Sequence, residues 1–112
     1  LCPMVDARRM EVYAQIFDNQ GAALSEVVAE VVEEDSFKQW REEGKLVIFG
    51  NGAKKCCETL SDAIYINVAP SARGIVALAE EAFKAEKFED LAYFEPFYLK
   101  DFIVIPSKKK LL

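Results

Sequence analysis

A chain of 112 residues that is 52% hydrophobic and 29% charged holds enough apolar side chains for one domain with one core, which argues against intrinsic disorder. Its net charge of −5 repels phosphate backbones and disfavours free-standing binding to nucleic acid. No apolar run approaches the roughly 20 residues that cross a bilayer, and the absence of histidine removes a common zinc ligand and the usual base for a Ser or Cys nucleophile.

The opening segment, Cys2-Pro-Met-Val-Asp6-Ala-Arg8-Arg9-Met10, reads as a strand running into a tight turn that carries one acid and two arginines. From Met10 to Ile16 the pattern alternates. Met10, Val12, Ala14 and Ile16 point one way and Glu11, Tyr13 and Gln15 the other, which is the period of a strand with one buried face. Asp18-Asn19-Gln20-Gly21 is turn chemistry. The valine-rich run Glu26–Val32 reads as a third strand. Asp35 or Ser36 then supplies a cap for a helix that carries Phe37 and Trp40 on one face and stops before Gly44.

Leu46-Val-Ile-Phe49 is a continuous apolar run, the pattern of a strand buried on both faces. Gly50-Asn51-Gly52 ends it, and a short helix is expected from Ala53 to about Leu60, with Cys56 and Cys57 as small core residues. Ala63–Val68 is a fifth strand. Pro70 and Ser71 open the strongest helix, in which Ile75, Leu78, Ala79, Ala82 and Phe83 recur at helical spacing as a core stripe. Beyond it, Phe88, Tyr93, Phe94, Phe97, Tyr98 and Phe102 form an aromatic segment, expected to lie over the core or else to meet a partner. Lys108, Lys109 and Lys110 read as a solvated basic tail.

The order is three antiparallel strands followed by alternating helices and parallel strands. That is an α/β, ribonuclease-H-like arrangement, which is also the half-unit of actin-like ATPases. A ribonuclease-H-type nuclease needs carboxylates converging on two metal ions. Asp6 stands at one suitable strand end, but Asn51 occupies the next, so no metal site is expected. A nucleotide half-site is the alternative. Asp6 would lie near the phosphates, and Gly50, Asn51 and Gly52 would let backbone approach the adenosine. Arg8 and Arg9 could grip a carboxylate or phosphate of a partner. No catalytic residue and no bound cofactor beyond a vestigial ATP are expected. The odd cysteine count points to reduced thiols in a cytoplasm.

Four segments are more specific. Pro3-Met-Val-Asp6-Ala-Arg8-Arg9-Met-Glu11-Val-Tyr13 resembles the hairpin that opens the second half of the TsaB (YeaZ) family. Phe49-Gly50-Asn51-Gly52-Ala53 is similar to that family's Gly-Asp-Gly-Ala turn, with Asn51 in place of the acid. Pro70-Ser-Ala-Arg-Gly-Ile75 and the residues to Ala79 resemble its last long helix, and Glu95-Pro96-Phe97-Tyr98-Leu99-Lys100 its closing segment.

The resemblance implies that residues 1–112 are a single ribonuclease-H-like lobe, the C-terminal half of a two-lobe actin-like protein whose N-terminal lobe is absent. It implies a non-catalytic subunit of threonylcarbamoyladenosine synthesis in tRNA, next to the anticodon, rather than the protease suggested by the family's old glycoprotease label. The partners it implies are a TsaD-type paralogue and a TsaE-type ATPase. This lobe alone would make no contact with nucleic acid or membrane, and a missing lobe leaves an apolar face through which a homodimer can form.

Overall fold

The computed structural model describes residues 1–100 of the chain. Phe102 and the lysine run at 108–110 lie outside the described residues. Five strands form one mixed sheet in the order β3-β2-β1-β4-β5. They are β1 (Cys2–Asp6), β2 (Glu11–Ala14), β3 (Val28–Val31), β4 (Val47–Phe49) and β5 (Ile64–Tyr65). β2 pairs antiparallel with both β1 and β3, whereas β1–β4 and β4–β5 are parallel. The helices are α1 (Lys38–Glu43) and α2 (Val76–Lys84), with short 3₁₀ helices at Lys54–Cys56 and Ala72–Ile75.

The alternation over Met10–Ile16 is realised as predicted. Val12, Ala14 and Ile16 are buried while Glu11, Tyr13 and Gln15 stay half-exposed. Those buried side chains meet Cys2 and Met4 of β1 and Ile48 of β4 on one face of the sheet, and Cys56 and Leu60 pack onto the same cluster. Phe37 and Trp40 rest against it together, as their spacing of three requires. Cys56 is a core residue and Cys57 is half-buried.

Several elements differ from expectation. The third strand is shorter than Glu26–Val32 because Ser25 takes over backbone groups at its start: Ile16 N–H donates to Ser25 Oγ (2.9 Å) and Gln15 Nε2 to Ser25 O (2.9 Å). Ser36 does not cap α1. Its buried hydroxyl accepts from Glu33 N–H (2.8 Å) and donates to Glu30 Oε1 (2.9 Å), and Phe37 enters the helix with φ 58° and no side-chain cap. The helix expected over Ala53–Leu60 is a 3₁₀ helix followed by turns. β5 ends before Val68, whose N–H turns back to Ile66 O (3.0 Å).

The largest correction concerns α2. It forms where predicted, with Ser71 Oγ accepting from Arg73 N–H (3.2 Å) at the start of its leading 3₁₀ turn. Its apolar stripe is not core, however. Leu78 and Phe83 are 66% and 70% exposed, and no residue of α2 is buried. Amphipathic spacing marks one face as apolar without saying what covers it. The aromatic segment is likewise exposed at Phe88, Tyr93, Phe94, Phe97 and Tyr98, so among the described residues it is not buried over the core.

Candidate functional site

The residues singled out in the sequence meet at one corner, where the β1–β2 hairpin abuts the turn after β4. Asp6 closes β1, and its carboxylate accepts Arg8 N–H (2.9 Å), an Asx turn that starts the hairpin. Arg8 and Arg9 both take left-handed backbone conformations, with φ 73° and 50°, so the turn holds two non-glycine residues in a costly region. Their side chains project into solvent.

Asn51 reaches across to the same place. Its Oδ1 accepts Asp6 N–H (2.8 Å), and Gly52 N–H donates to Met4 O (3.0 Å). These bonds seat the turn flat on β1, which explains both glycines. Gly50 has φ +96° and any Cβ there would run into the Met4 carbonyl. A Cβ at Gly52 would lie 2.9 Å from Asp6 N and Val5 C. Asn51 closes the contact as a neutral acceptor, so no second negative charge stands beside the Asp6 carboxylate.

The sequence reading missed Lys55. From the 3₁₀ helix after the turn, its ammonium forms an ion pair with Asp6 and donates to Glu11 O (2.7 Å). The Lys55 hydrogen bond, followed by the Arg8 N–H, holds the Asp6 carboxyl below the usual carboxylate range. Nothing local in the sequence signals this pair, because 49 positions separate its members. Glu11 is paired in turn, accepting Lys100 Nζ at 2.8 and 3.0 Å.

Beside the corner lies a groove of about 380 Å³, lined by Pro3, Val5, Phe49, Val68, Pro70 and Gly74 among others, most of them apolar. It opens at the C-terminal ends of β1 and β4, where parallel sheets commonly admit ligands. Among the described residues no group of three or more Cys, Asp or Glu could hold a metal ion. A carboxylate kept ionised by an adjacent ammonium is a poor proton donor or acceptor near neutrality. The arrangement is therefore suited to holding the hairpin and the turn in register and to presenting two arginines. No helix among the described residues is long and apolar enough to cross a membrane.

No protein-family model matches the chain, and no curated protein matches it.

Proposed function

We propose that the chain is a ribonuclease-H-like lobe of an actin-like protein, and that it serves as a non-catalytic scaffold in the synthesis of threonylcarbamoyladenosine in tRNA. The observation that carries the fold is the sheet order β3-β2-β1-β4-β5, with an antiparallel meander on one side and parallel strands added on the other. The four segments resembling the TsaB family, in the family's order, carry the biology. The site agrees in chemistry: its carboxylate is tied to Lys55, and the Gly50-Asn51-Gly52 turn is bonded to β1. On this reading the lobe works in the cytoplasm, and the full protein binds a TsaD-type transferase and a TsaE-type ATPase, with Arg8 and Arg9 as partner contacts.

The test is the level of threonylcarbamoyladenosine in bulk tRNA, measured by mass spectrometry after depletion of the protein. Loss of the modification, restored by a version carrying residues 1–112, is the expected result. An unchanged level overturns the reading. The groove beside Gly50 favours a second reading, a degenerate nucleotide half-site formed by Asp6, Gly50, Asn51 and Gly52. It predicts heat on titration with millimolar Mg-ATP, and a flat titration removes it.

A further inference from the structure

The two faces of the sheet are treated differently. The register places Pro3 opposite Phe49 and Val47 opposite Ile64, all on the face away from the Met4–Ile48 core. Phe97 to Lys100 lie near Tyr13 and Val27 on the β2–β3 side of this outer face. Over β1, β4 and β5 the chain's own Pro70, Ser71 and Gly74 flank a groove, and the rest of the face is open among the described residues: Val5 is 53% exposed, and Ile64, Ile66 and Val68 are exposed as well. The strands here are parallel, and parallel strands normally have both faces covered. Meanwhile Ile75, at the end of the leading 3₁₀ turn, and Leu78 and Phe83 of α2 form an apolar stripe with no sheet beneath it among the described residues. Among the described residues there is thus a sheet face without a helix over it and a helix without a sheet beneath it.

We infer that the occupant of this face is α2 of a second copy, exchanged reciprocally about a twofold axis. A second copy presents both missing halves at once, and the exchange closes without leaving a new open edge. The shape fits. The radius of gyration is 17.5 Å, whereas a compact chain of this length has about 13 Å, and the longest dimension is 61 Å.

The area fits too. At about 100 Å² of apolar surface per large side chain, and with each of them between 42% and 70% open, the four face residues and three stripe residues offer roughly 390 Å² per copy. Two copies give about 780 Å², and at the usual apolar share of about 60% the whole interface is about 1,300 Å², at the lower end of the size of a stable complex. Glu11, the one charged side chain on the outer face of the described strands, stands diagonally beside Val5 at the edge of the contact and is paired with Lys100.

Sedimentation equilibrium of the 112-residue chain, from low micromolar to several hundred micromolar, tests this. The expected result is twice the chain mass, with dissociation on dilution. Leu78→Asp in the stripe and Val5→Asp on the sheet face should each give monomers, and Lys84→Ala on the far side of α2 should not. Mixing the two aspartate variants should restore a weaker dimer, because the intact helix of one can lie on the intact face of the other. That recovery also requires both variants to be folded. A parent chain that is monomeric throughout overturns the inference in favour of closure of α2 onto its own sheet. A dimer that survives Leu78→Asp, or variants that never recover on mixing, overturns the helix-to-sheet contact.

Discussion

Replacing Gly52 by alanine should destabilise the chain by about 2–4 kcal/mol, because the added methyl has no free space. Its Cβ would lie 2.9 Å from Asp6 N, 2.9 Å from Val5 C and 3.1 Å from Val12 Cγ1. The first two are backbone atoms of a paired strand and cannot swing aside as a side chain would. Relief requires the turn to lift off β1. Overpacking of this kind costs about 1–3 kcal/mol. Lifting also stretches the bonds from Gly52 N–H to Met4 O (3.0 Å) and from Asp6 N–H to Asn51 Oδ1 (2.8 Å), each worth about 1 kcal/mol.

Urea denaturation followed by circular dichroism measures the effect. With a slope of about 1–2 kcal/mol per molar urea, the midpoint should fall by at least about 1 M. Gly74→Ala is the control, since nothing lies within 4 Å of a Cβ built there, and its stability should stay within about 0.5 kcal/mol of the parent. If Gly52→Ala denatures at the same urea concentration as Gly74→Ala, the turn is not seated on β1 and the account of this corner is wrong.

Leu60→Ala, which empties a fully buried position beside Ile48 and Cys56, should cost about 2–5 kcal/mol in the same denaturation assay, and a loss under about 1 kcal/mol would contradict the core described. Asp6 and Asp62 are held below the ordinary carboxylate value, Asp6 first by Lys55 and Asp62 first by the Arg41 Nε–H (2.8 Å). Their stabilisation is therefore present above the unfolded value of about 3.9 and lost as pH falls through the lower folded values. The urea midpoint should drop through that acid window, and Asp6→Asn should show a shallower drop; identical curves would refute the pairing. Burial pushes the Cys2 thiol up to about 12 and raises Cys56, whereas Cys57 is half-buried. An aromatic disulfide reagent should thus titrate Cys57 first and the other two only on unfolding, and rapid labelling of Cys2 in the native chain would contradict its place in the core.

What could be read from the sequence is what depends on near neighbours. The period of two over Met10–Ile16 reports a half-buried strand because successive side chains alternate sides whatever lies beyond. The strand within Leu46–Phe49 and the capped helix after Ser71 were legible for the same reason, but the expected burial of that strand on both faces is not realised: Ile48 is buried, and Val47 and Phe49 on the other face are half-buried. The Asp6–Arg8 turn and the Gly50–Gly52 turn were recognised as special positions, yet their physical basis was not. The glycines are required by the Met4 and Asp6 backbone, which meets them only once β1 and β4 are adjacent.

The tertiary structure alone decided the rest. It brought Lys55 to Asp6 across 49 positions, diverted Ser36 from capping a helix to bonding Glu30, and trimmed the third strand with Ser25. It also left the stripe of α2 in the open, where the sequence pattern had implied a core. Periodicity records which face of an element is apolar. Whether that face is buried depends on the distance to a complementary surface, a property of the whole chain and of whatever binds it.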